Sequence, residues 1–169
     1  MSNKSFVEKK FKSRKELVKI TDEAQNRDNR VVFTNGCFDI IHVGHVRYLY
    51  QASQMGEILI VGVNSDSSVR QLKGAKRPIV PEEERVEVLS ALQMIDYIFL
   101  FEELTCKKPL REIKPDIYVK GGDYSRKTLP EWSVVENYGG RVEFVREIRG
   151  SSTTSLLQRI RSEVNEGRQ

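Results

Sequence analysis

Val31-Val-Phe-Thr-Asn-Gly-Cys-Phe-Asp-Ile-Ile-His-Val-Gly-His45 is the stretch whose reading decides the fold of this 169-residue chain. It holds both histidines of the protein, at i and i+3 with a glycine between them. The short, continuously apolar run at 31–34 reads as a buried strand. Val46, Leu49, Tyr50 and Ser53 then recur at helical spacing, and Gly56 reads as the C′ residue that stops that helix. A glycine turn between a buried strand and a helix start is where α/β proteins bind phosphates. Two imidazoles aimed at that point suggest phosphate chemistry, beyond phosphate binding alone.

The pattern repeats outward. Apolar runs at 58–63, 97–101, 116–120 and 142–145 read as four further strands. Helical segments are expected at 66–72, from Pro81 onward with Val88, Leu89 and Leu92 inward, from a Thr105 cap to about 112, and weakly over 129–138. A last helix opens near 151–153 and carries Leu156, Leu157, Ile160 and Val164 inward. Strands without alternation, separated by helices, indicate a doubly wound parallel sheet of five strands with helices on both faces. Residues 1–29 read as an appended helical arm, with Ser13-x-x-Glu16 as a capping box and Leu17, Ile20 and Ala24 on one face. The expected organisation is this arm, one α/β domain at 30–165 and a tail at 166–169.

Composition sets the class. The chain is 38% apolar and 31% charged, with a formal charge of +4. No apolar run is long enough to span a bilayer, and no apolar signal core opens the chain. Cys37 and Cys106 are too few for a disulfide scaffold. The expected compartment is the reducing cytoplasm, with no membrane partner. Lys4, Lys9, Lys10, Lys12, Arg14, Lys15 and Lys19 make the arm basic. Glu8 and Glu16 interrupt the run and stacking aromatics are sparse, so a solvated helix face is expected in place of a nucleic-acid contact.

Several polar clusters fall at the carboxyl ends of the expected strands. Gly36 permits a tight turn, and at Gly44 a Cβ would crowd a phosphate. His42 and His45 share the face of a first helical turn, beside the positive end of the helix dipole. A zinc reading of His-x-x-His lacks third and fourth ligands, so no metal site is assigned to the protein itself. Buried, hydrogen-bonded histidines remain the structural alternative. Lys73, Lys76 and Arg77 lie in a loop with Gly74 that is able to close over phosphates. Arg85 sits early in a helix, where its charge opposes the dipole. Asp39, Asn64 and Asp66 are at or just past strand ends; Asp66 is suited to sugar hydroxyls and Asp39 to orienting a cation or a basic loop residue, or either to simply capping a helix. Lys120 and Asp123 flank Gly121-Gly122, which admits close approach of a base or ribose.

Gly36-Cys-Phe-Asp39 followed by His42-Val-Gly-His45 resembles the signature of the cytidylyltransferase-like nucleotidyltransferases, a Rossmann-like superfamily. Arg149-Gly-Ser-Ser-Thr-Thr154 resembles its second signature. Thr34 to Asp39, Val63-Asn-Ser-Asp66, Leu72-Lys-Gly74, Arg77-Pro78 and Val119-Lys-Gly-Gly-Asp-Tyr124 narrow the likeness to the bacterial D-glycero-D-manno-heptose 1-phosphate adenylyltransferases of lipopolysaccharide synthesis. Many of these are fused to a sugar kinase. A chain of 169 residues leaves no room for one, so the stand-alone form is expected.

The resemblance implies transfer of an adenylyl group from ATP, its phosphates carrying Mg2+, to a sugar phosphate. It implies catalytic roles for His42, His45, Lys73, Ser152 and Thr153. Nucleotide contacts would fall at Asn35, Gly36, Cys37, Phe38, Gly44, Lys120, Gly121, Asp123, Arg149 and Ser151. Sugar-phosphate contacts would fall at Asp39, Asn64, Asp66, Arg77 and Arg85. Family members often form homodimers. The chain has Cys37 where many relatives have threonine, and Ser155 where cytidylyl-transferring relatives often have lysine. The alternatives are another sugar- or polyol-phosphate nucleotidyltransferase using CTP or GTP, and a non-catalytic nucleotide- or RNA-binding relative.

Overall fold

The computed structural model describes residues 5–122, 124–145 and 153–166. Among them are five strands: β1 (Val31–Gly36), β2 (Ile58–Asn64), β3 (Tyr97–Phe101), β4 (Ile117–Gly121) and β5 (Arg141–Val145). They form one all-parallel sheet in the order β3-β2-β1-β4-β5. The chain winds outward from β1 to β3, then returns to the other side of β1 with β4. The expected doubly wound, Rossmann-like architecture is therefore present, and its topological switch lies between β1 and β4.

Alternation along each strand feeds two cores. Phe33, Ile60, Phe99 and Tyr118 face α2 (Arg14–Gln25), α6 (Lys107–Ile113) and α7 (Trp132–Asn137) through Leu17, Ala24, Leu110, Ile113 and Val135. Val32, Val61, Ile98 and Val119 face α3 (Val43–Ser53) and α5 (Glu82–Ser90) through Leu49, Ala52, Val86 and Leu89. Each of the fully buried Val, Leu and Ile side chains among these is worth about 1.5–3 kcal/mol relative to exposure.

Local signals explain the helix starts. The Ser13 capping box forms, with the Ser13 N–H donating to Glu16 Oε2 at 2.8 Å and the Glu16 N–H donating to Ser13 Oγ at 3.3 Å. A short α1 (Ser5–Lys10) precedes it, so the arm is two helices. Between them Phe11 bridges Ile98, and the Lys12 N–H donates to the Ile98 carbonyl at 2.9 Å. The arm thus covers the β3 edge, which would otherwise expose unpaired backbone groups.

Some expectations need correction. α3 ends with Gln54 as its cap and Gly56 has no left-handed role. Gly56 is needed for space, since a Cβ there would lie 2.6 Å from the Arg30 carbonyl oxygen. Thr105 does not cap α6. Cys106 holds the cap position, and its N–H donates to the buried Glu131 carboxylate at 3.1 Å. Pro81 is the cap of α5, one residue before its first turn, and Glu82, Glu83 and Glu84 fill that turn. Val88 and Tyr50 are outward, 46% and 55% exposed. In α8 (Thr153–Glu166) Ile160 is 55% exposed and not inward, while the Val164 side chain lies outside the described residues. Among the described residues no helix is long and apolar enough to cross a membrane.

Candidate active site

β1 pairs with β2 as far as Gly36↔Val63, but with β4 only as far as Thr34↔Val119. Beyond that rung β1 and β4 part, and the crevice between them receives the turn that leads into α3. Phe38 makes this turn with a left-handed φ of 47°, uncommon for a non-glycine residue and costing of order 1–3 kcal/mol. Its ring is 4% exposed and packs edge-on against His45, with centroids 5.3 Å apart. A Cβ on Gly36 would come 3.2 Å from that ring. Phe38 therefore packs its ring beneath the turn.

His42 is the N-cap of α3, and its side chain does not perform the capping. Its ring stacks on His45 at 3.8 Å between centroids and 24° between planes. The unsatisfied N–H groups of the first turn of α3, including that of Gly44, sit beside the pair. His45 Nδ1 is buried without a hydrogen-bond partner among the described residues. Burial first, then the neighbouring His42, push the His45 imidazole down from 6.5 to about 4, with the Ile40 carbonyl opposing them. At pH 7 His45 is therefore neutral, with its ring hydrogen-bonded to the Ile40 backbone.

This has a measurable consequence for stability. The unfolded imidazole titrates near 6.5 and the folded one near 4. Between those values the unfolded chain binds more protons, so the contribution is complete above about pH 6.5 and is lost as pH falls toward 4. His45→Gln is expected to flatten the stability curve across this window, as measured by urea unfolding at several pH values. An unchanged slope would contradict the buried neutral imidazole.

Basic groups approach from both sides. Lys73 ends α4 (Asp66–Lys73) and is exposed, next to Gly74, whose φ is 96°. Burial raises the Cys37 thiol pKa, and the charges of Lys73 and Lys120 both oppose that rise, as their nearness requires. Lys120 Nζ donates to Asn35 Oδ1 at 3.1 Å and lies 5.8 and 5.9 Å from the Tyr118 and Tyr124 ring centroids. Burial lowers its pKa, partly offset by Glu131. The Tyr118 hydroxyl donates to the same Asn35 oxygen at 2.8 Å, which orients the amide. From the C-terminal end of the chain, Thr153 Oγ1 reaches the Ile40 carbonyl at 3.5 Å. The two ends of the sequence pattern thus meet in space. Asp123, Arg149, Ser151 and Ser152 lie outside the described residues.

Other residues expected to touch substrate are occupied with one another. Asp39 accepts from Arg77 Nη1 at 2.6 Å and from the Ile79 and Val80 N–H groups at 2.7 and 3.0 Å. It anchors the end of the basic loop, and Arg77 is latched to it. Arg85 is 1% exposed, and all three of its nitrogens are used. Nε donates to the Val80 carbonyl at 3.0 Å, Nη1 to the Cys37 carbonyl, and Nη2 to Asp66 Oδ1 at 2.8 Å. Its mismatch with the helix dipole is resolved by this network. Asn64 is 4% exposed and its amide donates to Ser68 Oγ at 3.2 Å. The Asp66 side chain remains 25% exposed. Among the described residues no group of three or more His, Cys, Asp or Glu side chains is placed to hold a metal ion.

Sequence reasoning passed over Tyr48, Tyr118 and Glu131. Tyr48 follows His45 by three residues and Tyr118 precedes Lys120 by two, the spacings that put each on the same helix or strand face as its neighbour.

The chain matches the family described as cytidylyltransferase-like over residues 33–164. It is 45% identical over 158 residues to the Bifunctional protein HldE of Syntrophotalea carbinolica, covering 94% of this chain and 32% of that protein. It is 52% identical over 137 residues to the Bifunctional protein HldE of Citrifermentans bemidjiense, covering 81% and 28% respectively. The chain thus spans about a third of the length of these relatives. The crystal structure of the lipopolysaccharide core biosynthesis protein from Thermoplasma volcanium GSS1 is 33% identical with a TM-score of 0.59, covering 71% of this chain and 97% of that one. Pantoate-beta-alanine ligase from Francisella tularensis shares the fold alone, at 13% identity and a TM-score of 0.61 over 83% of this chain and 67% of that one. With its paired histidines at the end of β1 and this match over most of its length, the chain belongs to the cytidylyltransferase-like family of nucleotidyltransferases.

Proposed function

We propose that this protein transfers the adenylyl group of ATP to D-glycero-D-manno-heptose 1-phosphate, giving ADP-heptose and pyrophosphate. The observation that carries this reading is the stacked His42–His45 pair at the β1–β4 crevice, with Lys73 and Thr153 arriving from two other segments. A sugar phosphate oxygen is anionic at neutral pH and needs no activated serine or cysteine. It attacks the α-phosphorus, a P–O bond forms, and the bond to the bridging oxygen of the leaving pyrophosphate breaks. The chain's task is to align two polyanions and stabilise charge on the transferring group. His45 donates to the α-phosphate oxygens, and His42 and the first turn of α3 support it. Lys73, Ser152 and Thr153 hold the β- and γ-phosphates, which carry the Mg2+ of the substrate. Lys120 and Gly121 border the nucleoside. The half-open Asp66 is the residue suited to sugar hydroxyls, while Asp39 and Arg85 shape the site around it. The active form is a homodimer with small-molecule partners only.

Pyrophosphate release from ATP, CTP and GTP against both anomers of heptose 1-phosphate tests this reading. Release from ATP with one anomer is expected. Release with CTP alone, or none with any pair, would overturn it. Lys73→Ala is expected to lower kcat by about 10-fold or more while the ATP dissociation constant moves less. An exposed residue at the end of α4, where the basic loop begins, acts most strongly when that loop closes on the transition state. Unchanged kcat would remove Lys73 from the mechanism.

A further inference from the structure

Tyr48 is the least expected residue of the crevice. It projects from α3 toward the sheet, three residues after His45. Its hydroxyl donates to the Val119 carbonyl at 3.0 Å and is hydrogen-bonded to Thr34 Oγ1. Because the tyrosine proton goes to Val119, Thr34 supplies the proton of the second bond. The result is a directed chain from the Thr34 hydroxyl through Tyr48 to the Val119 carbonyl. Thr34 and Val119 are each 0% exposed, and burial raises the Tyr48 pKa well above its ordinary value, so the hydroxyl stays protonated.

Its location gives the bond its meaning. Thr34↔Val119 is the last rung of the β1–β4 ladder. The Tyr48 hydroxyl is therefore placed where the two strands separate, and it donates to a carbonyl of that last rung. The ring continues up one wall of the crevice, where a Cβ on Gly121 would meet it at 3.2 Å. A side chain at Gly121 would require the ring to give way slightly. One residue thus touches β1, β4 and the Gly121-Gly122 turn, while its own backbone lies three residues from His45 on the same helix. Three-residue spacing puts Tyr48 and His45 on one face of α3.

We infer that Tyr48 is a positioning residue that fixes the distance between the His45 wall and the Gly121 wall of the nucleotide crevice. It does not touch substrate. It acts through His45 and Gly121, holding the phosphate-facing and nucleoside-facing sides in one register. This rests on the adenylyl-transfer reading for its catalytic consequence and on the geometry alone for its structural one. Errors of about 1 Å in such alignment cost on the order of 100-fold in rate.

The test uses Tyr48→Phe, Thr34→Val and Thr34→Ser in the full chain, measured at a temperature where each is folded. Tyr48→Phe is expected to lower kcat at least about tenfold, with the ATP dissociation constant changed less than about threefold. Thr34→Val is expected to do the same, the double variant to be no worse than either single one, and Thr34→Ser to retain wild-type kcat, since the bond chain acts as a unit. Because the chain has two histidines, its imidazole resonances are few, and that of His45 is expected to shift or broaden in Tyr48→Phe. A lowered thermal midpoint with unchanged kcat and an unchanged His45 resonance would reduce Tyr48 to a packing residue and overturn the inference. If the wild type releases no pyrophosphate from any pair, the functional reading fails, and the His45 resonance still decides whether Tyr48 positions it.

Discussion

His45→Ala is expected to lower kcat for pyrophosphate release by about 10²–10³-fold while the thermal midpoint shifts little. That range is typical of removing one donor aimed at developing charge in a dry site. Here the donor is preorganised twice, by the stack on His42 and by the Phe38 edge. Its buried Nδ1 lacks a hydrogen-bond partner among the described residues, so truncation removes an unsatisfied group along with some packing. ATP binding is expected to weaken less than kcat falls, because the neutral imidazole interacts most strongly once negative charge accumulates on the transferring phosphoryl group. Stopped turnover with an intact fold, followed by circular dichroism and rapid quench, is the predicted pattern. Collapse of the fold would instead favour the reading of the pair as buried structural histidines.

Arg85→Ala is expected to be the most destabilising single change considered. It strips the buried guanidinium from Asp66 and leaves the Cys37 and Val80 carbonyls without their donor. Breaking a buried pair of this kind costs about 3–5 kcal/mol. For a domain of this size that corresponds to a drop in thermal midpoint of about 6–20 °C. Arg85→Lys is expected to rescue little, since an ammonium does not reproduce a planar fork that donates in three directions. Activity should fall as well, through displacement of the Cys37 turn and the end of the loop that Asp39 anchors. A wild-type midpoint combined with a raised KM for the sugar phosphate would contradict this assignment and return Arg85 to direct substrate contact.

The contrast between these residues shows what the sequence makes legible. The strands stand out because both faces are buried, which turns each into an unbroken apolar run. The ends of β1 do not, since Asn35 and Gly36 pair with Gly62 and Val63 yet carry no apolar signal. The histidine pair, Lys73 and Thr153 were readable from residue type and spacing, and their convergence at one crevice follows from the topology. Asp39 was readable as a group able to orient a basic loop residue, Arg77 as a loop cation and Arg85 as a charge early in a helix, but the specific Arg77–Asp39 and Arg85–Asp66 pairs were not. The Arg77–Asp39 and Arg85–Cys37 contacts span 38 and 48 residues, the Arg85–Asp66 pair 19, and they exist only after the sheet has brought the loop over β1. Arg85 also misled the periodicity, because a charge on the core-facing side of α5 makes the apolar stripe look as if it passed through Val88. Glu131 serving the α6 cap from 25 residues away is the same kind of long-range substitution for a local signal.

The central claim is direct attack of the sugar phosphate on ATP at the histidine pair, with no covalent adenylyl-enzyme. Exchange of labelled pyrophosphate into ATP measures this most directly. Exchange is expected when heptose 1-phosphate is present and turning over, and none when the protein is given ATP and labelled pyrophosphate alone. Exchange in the absence of the sugar phosphate would contradict it, because it would require the adenylyl group to rest on a residue of the protein.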